Sequence, residues 1–553
     1  MPSETDPLLP AYAPAPEISY QHRLLPYSSE ISYGSAIPTG DSSALTPKSW
    51  KSQDELQYDY AGNGLEESED DTSSTFESGM AKVFRTVLGV IFLAAVFAVS
   101  VSVLQGGDRQ PHSTWPPSAT PSSTSRPHPA PSPPARRTVR ERVQDILTST
   151  PLIDGHNDLA IFIRGKYKNN IFGSEFRKDF ENGGMPMNVD LPRMRAGKVG
   201  GAFWSAFVVC PVNASYDMSD ENYASAAAHT TEQIDLLNNL QKQYPQDFTS
   251  ATNLSSGDES GRVNMLAQWH DTKSFFGPIS IEGLHQVLPS APMSMLRSYY
   301  ALGVRMATLT WNCHNAFADA ALVMNDFRTP PHVVNDILRP KEGAVTKRGL
   351  GVIQEMNRLG MIVDISHTSY WTQKAVLSTD KRISQAPVVF SHSSAYSICP
   401  HPRNVRDDIL DLVPKSKSLV MVNFSPEFIS CVSSNNNTLK NEPHFSLPTF
   451  VIKNNTLHQV ARHITYIGGR IGYDYVGLGS DYDGMGDLTP QGLDGVDKFP
   501  DLVAELLTMG VSDENVKKVV GGNILRVWKD VDEVSARMKK EGVLPGLDDG
   551  SGY

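Results

Sequence analysis

The stretch "PLIDGHNDLA", from Pro151 to Ala160, places several polar residues directly after a short apolar run. Leu152 and Ile153, flanked by turn-forming residues, predict a buried strand at residues 152–154. His156 and Asp158 follow at once. Two interpretations compete: an ordinary polar turn after a strand, or a His-x-Asp pair of metal ligands held at a strand's end. The pattern in the rest of the chain bears on this choice.

Short apolar, β-branched runs alternate with helical patterns after residue 138. We predict strands at 152–154, 201–209, 278–282, 305–310, 361–365, 387–391, 418–423 and 475–479. Helical patterns lie between several of them, at 222–243, 293–303, 347–360 and 456–469. Because parallel strands need crossover connections, eight such runs favour an α/β fold of the (β/α)8 TIM-like barrel type. An open doubly wound sheet is the alternative, since a strand count from one sequence does not exclude it.

Side chains that bind metals follow five of the eight runs. They are His156, Asp158, Glu282, His367, His392 and Asp481. A lone histidine after a strand is usually a capping or hydrogen-bonding residue, but six such residues at one topological position are hard to explain as independent caps. In a barrel these strand ends converge on one rim. Imidazole and carboxylate together suit zinc, manganese or another divalent ion, and a carboxylate can bridge two ions about 3.5–4 Å apart that activate a bridging water for hydrolysis.

Six segments carry a resemblance to a known family: "DGHNDL", "IEG", "DISHTS", "FSHSSAYSICPHPRNV", "MVNF" and "GLGSDYDG". In order and spacing they closely resemble the membrane (renal) dipeptidases, which are zinc metallopeptidases with a TIM-like barrel. The resemblance implies two zinc ions per chain. By it, His156 and Asp158 bind one ion, Glu282 bridges the two, and His367 and His392 bind the second.

The resemblance also implies which residues contact the substrate. Asp481 looks like the family's carboxylate beside the metals, a ligand or base, and Arg403 matches the arginine that grips the substrate's C-terminal carboxylate. Trp311 stands where the family usually carries a histidine near the scissile carbonyl. Indole offers one N–H donor and takes up no proton, so Trp311 could support an oxyanion or pack beside the substrate but could not act as an acid or base. His314 is either a replacement for that histidine or a structural residue.

The chain has four cysteines, and none of their spacings is that of a thiolate zinc site. Four cysteines allow three pairings. The resemblance implies the bridges Cys210–Cys313 and Cys399–Cys431. Four reduced cysteines are the alternative, which fits poorly with a domain outside the cytoplasm.

The N-terminal region predicts a membrane anchor. Residues 86–104 carry no charge and are long enough to cross about 30 Å of hydrocarbon. They follow a long polar segment, so an uncleaved signal-anchor is favoured over a signal peptide. Lys82 and Arg85 precede the span, which favours a single-pass type II protein with its catalytic domain outside the cytoplasm. The predicted divisions are a disordered cytoplasmic tail at 1–80, the helix at 86–104, a Pro/Ser/Thr-rich stalk at 105–137, the catalytic barrel at 138–535 and a C-terminal tail at 536–553.

Two short patterns concern the compartment. Glu4 precedes Leu8 and Leu9 with the spacing of an acidic dileucine sorting signal. The expected location is therefore the cell surface or an endosomal or vacuolar membrane, with the domain in the lumen. Sequons predict glycosylation there, each with an unmodified surface asparagine as the alternative; they begin at Asn213, Asn253, Asn436 and Asn454.

The predicted function is that of a membrane-anchored zinc dipeptidase. A net charge of -12 argues against a nucleic-acid partner. One alternative is a metal-dependent amidohydrolase acting on a cyclic amide or on a glutathione-derived conjugate. Another is a receptor or pseudoenzyme that keeps the fold, an idea motivated by Trp311 alone. A homodimer would follow from the resemblance, although no feature of the sequence itself indicates one.

Overall fold

The computed structural model describes residues 137–252, 259–324, 332–333, 344–433, 447–486 and 488–548. The predicted cytoplasmic tail, the predicted transmembrane helix and all but the last residue of the predicted stalk lie outside the described residues. Within the described ranges, no helix is long and apolar enough to cross a bilayer.

Eight parallel strands close into a barrel. They are β1 (Leu152–Asn157), β2 (Val199–Ala206), β3 (Ile279–Glu282), β4 (Val304–Thr308), β5 (Ile362–Asp364), β6 (Val389–Phe390), β7 (Leu419–Val422) and β8 (Val476–Leu478). Each strand pairs with the next in chain order, and β8 returns to β1 through the pair Asp154 and Leu478. This closure confirms the predicted (β/α)8 barrel and excludes the open sheet.

Helices connect the strands. They are α1 (Val139–Ser149), α2 (Leu159–Tyr167), α3 (Ser174–Asn182), α4 (Leu191–Ala196), α5 (Asp220–Gln243), α6 (Arg262–Thr272), α7 (Pro292–Ala301), α8 (Lys347–Leu359), α9 (Tyr370–Leu377), α10 (Asp407–Leu410), α11 (Pro426–Ile429), α12 (Leu457–Ile471), α13 (Phe499–Thr508), α14 (Asp513–Lys517) and α15 (Asn523–Lys540). The start of α1 is a capping box, in which Thr138 Oγ1 accepts from the Glu141 backbone N–H and the Glu141 carboxylate accepts from the Thr138 N–H. The four predicted helices correspond to α5, α7, α8 and α12.

The sequence did not predict six short strands outside the barrel ring. Strands Phe248–Ser250 and Phe275–Gly277 pair in parallel, and the second also pairs with β2. Two small antiparallel pairs join Leu322–Val323 to His332–Val333 and Cys431–Val432 to Thr449–Phe450. Strands of two or three residues are too short to show an alternating pattern, which is why sequence periodicity misses them.

The last helix closes the end of the barrel that is remote from the polar strand ends. Trp528 of α15 packs on Phe203 of β2, with ring centroids 5.2 Å apart. Just before α15, a side chain at Gly521 would lie 2.0 Å from the carbonyl oxygen of Pro151, at the start of β1. α15 crosses the predicted domain end at residue 535 and continues to Lys540, and the Asp548 carboxylate accepts from the Met293 backbone N–H. The domain division stays a prediction.

Candidate metal centre

The structure brings the predicted metal-binding side chains together at the carboxyl ends of the strands. The Nε2 atoms of His367 and His392 lie 2.9 Å apart. Both face Glu282 Oε1, at 2.9 Å from His367 and 3.3 Å from His392. The other oxygen, Glu282 Oε2, lies 3.5 Å from His156 Nε2. Glu282 therefore presents one carboxylate oxygen to a histidine pair and the other to His156.

A second group of donor atoms adjoins the first. His156 Nε2 lies 3.2 Å from Asp158 Oδ2. His156, Asp158 and Asp481 each offer a ligand atom within 4.8 Å of the others, and so do His156, Glu282 and His392. The two groups share His156, and either group could hold a cation.

These atoms fit cations better than they fit hydrogen bonds. The facing Nε2 atoms of His367 and His392 can share at most one proton. Asp158 Oδ1 is buried and has no hydrogen-bond partner among the described residues. Leaving such a polar atom unsatisfied costs about 1–3 kcal/mol, a cost that a bound cation would remove. Imidazole with carboxylate is also a donor set that zinc accepts.

The electrostatics of the histidines agree with ligand roles. Burial lowers the pKa of His367 well below its ordinary value, and the Arg403 charge adds to that effect. Burial likewise lowers the pKa of His392. Burial opposes protonation of His156, but Glu282 and Asp158 outweigh it and raise the pKa of His156 well above the ordinary value. Two imidazoles are thus held neutral, while carboxylates surround the third as they would surround a cation.

A buried chain of hydrogen bonds orients His392. Its Nδ1 lies 2.8 Å from Ser391 Oγ, which in turn lies 2.6 Å from Asp364 Oδ2. Because the serine hydroxyl donates to the carboxylate, it accepts from the Nδ1–H of His392. The lone pair of His392 is then left on Nε2, the atom that faces Glu282.

Asp154 and Asn423 are site residues to which sequence reasoning assigned no role. Asp154 Oδ1 accepts from the Ser480 backbone N–H at 2.7 Å and so ties β1 to the loop that carries Asp481. Asn423 Nδ2 donates to Asp481 Oδ2 at 3.0 Å. Asn423 directly follows β7, the same position that singled out the metal-binding residues, whereas Asp154 lies inside β1.

Two site residues adopt a strained backbone conformation. His367 has φ 61° and Asp481 has φ 68°, both in the left-handed region. For residues other than glycine this conformation costs on the order of 1–3 kcal/mol and persists where surrounding contacts hold it.

The position of His156 differs from the prediction. His156 lies within β1, because that strand continues to Asn157, where it pairs with Trp204 of β2. The predicted strand end at residue 154 was therefore too early.

Gly484 lies against the carboxylates. A Cβ at this position would lie 2.1 Å from Asp158 Oδ2 and 2.9 Å from Asp481 Oδ1. Real Cβ atoms do not approach oxygen so closely, so any other residue would displace Asp158. Gly484 ends the motif "GLGSDYDG", and no pattern in the sequence predicts its contact with the carboxylates.

Arg403 is buried beside this centre, with 2% of its surface exposed. Its Nη2 donates to the His392 carbonyl oxygen at 3.3 Å, and its Nη1 to Ser393 Oγ at 3.5 Å. The Nε atom has no partner among the described residues. Burial lowers the pKa of Arg403 to about 10, while Asp481 and Glu282 oppose that shift. The guanidinium is therefore still charged at neutral pH.

Trp311 and His314 occupy different surroundings. The Trp311 ring lies 4.8 Å from the Phe207 ring and 6.3 Å from the His367 ring, measured between centroids, so it borders the site. His314 is buried, and its Nδ1 accepts from the Ala320 backbone N–H at 3.0 Å. That bond belongs to the loop after β4, which favours the structural interpretation of His314.

Both predicted disulfides are present, Cys210–Cys313 and Cys399–Cys431. The first joins the segment after β2 to the segment after β4, which carries Trp311. Of the sequon asparagines, Asn213 and Asn454 are exposed, while the other two, at 253 and 436, lie outside the described residues. Glycosylation stays a prediction.

Comparison with known proteins assigns the family. The profile of the membrane dipeptidases, peptidase family M19, matches residues 140–542. The chain belongs to the membrane dipeptidase family. Dipeptidase aclJ of Aspergillus oryzae is 38% identical over 412 residues, which cover 74% of this chain and 84% of that relative. Dipeptidase verJ of Clonostachys rogersoniana is 39% identical over 402 residues, covering 72% of this chain and 88% of that relative.

Solved structures of metallopeptidases share the fold of this dipeptidase. A metallopeptidase from Rhodobacter sphaeroides, liganded with a phosphinate mimic of the dipeptide L-Ala-D-Ala, has a TM-score of 0.53 and 21% identity and covers 69% of this chain and 99% of its own. The probable dipeptidase PvdM from Pseudomonas aeruginosa has a TM-score of 0.56 and 19% identity, covering 72% and 99%. The family and the named relatives identify the protein as a metal-dependent dipeptidase, a hydrolase of peptide bonds.

Proposed function

We propose that this dipeptidase hydrolyses free dipeptides at a centre of two zinc ions bridged by Glu282. The observation that carries the proposal is the carboxylate of Glu282, whose two oxygens face different histidines. His156 and Asp158 would hold one ion, and His367 and His392 the other. Bound zinc would supply Lewis-acid polarisation of the scissile carbonyl and of the attacking water.

Arg403 is the proposed anchor for the C-terminal carboxylate of the substrate. It is a buried cation, and no carboxylate of the described residues lies within salt-bridge distance of it. A buried charge without a counter-ion is costly, so an incoming carboxylate gains a strong, directional partner. This contact would select free dipeptides over substrates that lack a terminal carboxylate.

Asp481 is the proposed proton acceptor. Burial raises the pKa of Asp481, and the hydrogen bond from Asn423 to its Oδ2 opposes that shift and fixes the orientation of the carboxylate. Its other oxygen, Oδ1, lies on the side of Gly484 and the Asp158 carboxylate. A carboxylate in this place can take a proton from the attacking water and return it to the leaving amine.

The test measures metal content and substrate choice on the full chain. We expect two zinc ions per chain, chelator-sensitive cleavage of a dipeptide such as glycyl-leucine, and at least about 100-fold slower cleavage of its C-terminal amide, in keeping with a lost charge-assisted contact. Arg403→Lys keeps the charge but loses the planar guanidinium, so the variant should show a smaller difference between the cleavage rates of the dipeptide and of its amide. Equal cleavage of acid and amide would favour the amidohydrolase alternative, and a single ion per chain would refute the binuclear centre.

The geometry around Trp311 and His314 gives a second expectation. His314→Ala removes the acceptor of a buried backbone N–H, which costs about 1–3 kcal/mol, so thermal stability should fall while kcat/KM of the folded enzyme stays within about threefold. Trp311→Ala should raise KM, because the indole borders the site. Thermal melts and steady-state kinetics of both variants on one dipeptide decide which role each residue has. A large loss of kcat in His314→Ala without loss of stability would show that His314 has replaced the family histidine.

We also propose that residues 86–104 anchor the dipeptidase in a membrane, with the barrel outside the cytoplasm at the cell surface or in an endosomal or vacuolar lumen. The support is the uncharged apolar segment itself. The full chain should stay with membranes after alkaline carbonate extraction. Replacing Leu93 and Val96 by Arg should release it, and a wild-type chain that is extracted just as easily would refute the anchor.

A further inference from the structure

A residue of the loop after β4 reaches a proposed zinc ligand. Asn312 Oδ1 lies 3.0 Å from His367 Nδ1. The amide of Asn312 is oriented by a second contact, because its Nδ2 donates to Met324 Sδ at 3.7 Å. The oxygen of the side-chain amide, rather than its nitrogen, therefore faces the histidine.

This contact fixes the tautomer of His367. An amide oxygen only accepts hydrogen bonds, so the imidazole proton must be on Nδ1. The lone pair is then on Nε2, the atom that lies 2.9 Å from Glu282 Oε1. Ser391 does the same for His392 through the chain to Asp364 described above. Each histidine of the pair thus has its own orienting partner.

The loop that carries Asn312 is held in place on both sides. The backbone carbonyl of Asn312 accepts a hydrogen bond from the Met324 N–H at 2.8 Å. The next residue, Cys313, is fully buried and bonded to Cys210. Further along the loop, Asn315 Nδ2 donates to the Leu309 carbonyl oxygen at 2.8 Å, at the end of β4. An asparagine on so constrained a loop can orient a ring at low entropic cost.

We propose that Asn312 is a positioning residue for the metal centre, which holds His367 in the tautomer and orientation that zinc binding requires. It acts through the histidine, since its described contacts are with His367 and Met324. The inference rests on the proposed binuclear function and deepens it.

The experiment compares zinc affinity in three variants of the full chain by competition with a chromophoric chelator, with kcat and KM as a second readout. Asn312→Ala removes the hydrogen-bond acceptor of His367 and should lower the affinity for one of the two zinc ions by about 10- to 100-fold. This is the usual effect of losing a residue that orients a metal ligand. Asn312→Asp keeps an acceptor oxygen and should restore affinity to within about threefold of the wild type. Asn315→Ala disturbs the same loop without touching His367, and should lower thermal stability while keeping both ions.

Three results would overturn the inference: unchanged affinity in Asn312→Ala, an equal loss in Asn312→Asp, or a loss in Asn315→Ala as large as that in Asn312→Ala. The first removes the role, the second shows that the acceptor is not what matters, and the third shows that loop integrity alone is responsible. A wild-type chain that binds two ions without cleaving dipeptides would refute the proposed function but leave this affinity comparison intact.

Discussion

Glu282→Gln is expected to lower kcat/KM on a dipeptide by at least ~1,000-fold, equivalent to about 4 kcal/mol of transition-state stabilisation. Glu282 Oε1 faces the histidine pair and Oε2 faces His156, so this one side chain adjoins both proposed cation positions. Glutamine has nearly the same shape, but a neutral amide cannot balance two divalent cations, and its NH2 group would face one set of ligands with a donor. Zinc content should fall from two ions per chain in the same preparation.

The matched control is Glu355→Gln, which changes a buried glutamate of α8 that is not among the candidate metal ligands. Glu355 accepts from Arg297, from Arg358 and from the Gly546 backbone N–H. Its loss should lower thermal stability and leave both zinc ions and kcat in place. If Glu282→Gln keeps normal turnover, or if both variants lose metal equally, the bridging role of Glu282 is wrong.

The barrel and the convergence of the candidate ligands were predictable for one physical reason. Parallel strands point their carboxyl ends to one rim, so residues such as Glu282 and His392, each at or just after a strand end, had to converge once the strands were recognised. Strand boundaries were less predictable. β1 runs on to Asn157 because β2 offers it pairing partners, and no local pattern in "DGHND" reveals that partner.

The supporting contacts could not be read from the sequence. Asp154 binds the Ser480 N–H across 326 positions of the chain, and Asn312 reaches His367 across 55. Such contacts depend on loop paths, which local periodicity does not specify. His314 illustrates the same limit: its position three residues from Trp311 left two roles open, and the bond from the Ala320 N–H favours the structural one.

Gly484→Ala is expected to fold normally but lose metal and lower kcat/KM by about 100-fold or more, in the upper range for a disturbed metal ligand. The added methyl would lie 2.1 Å from Asp158 Oδ2, so the Asp158 carboxylate must leave its position. Backbone strain does not complicate the result, because Gly484 is not among the glycines with positive φ. Zinc titration, thermal melts and kinetics on one dipeptide measure the three parts of the expectation.

Gly469→Ala supplies the control for this variant. Gly469 lies in α12 with nothing within 4 Å of its added methyl, so the substitution should keep full activity and, because alanine favours helices, slightly raise stability. If Gly484→Ala also keeps two zinc ions and full activity, the Asp158 carboxylate can move without cost, and it is not a metal ligand. If instead the variant loses one ion and its activity returns when the zinc concentration is raised, the Asp158 carboxylate is part of the metal-binding site. Excess metal restores activity when binding is weaker but the catalytic centre is otherwise intact.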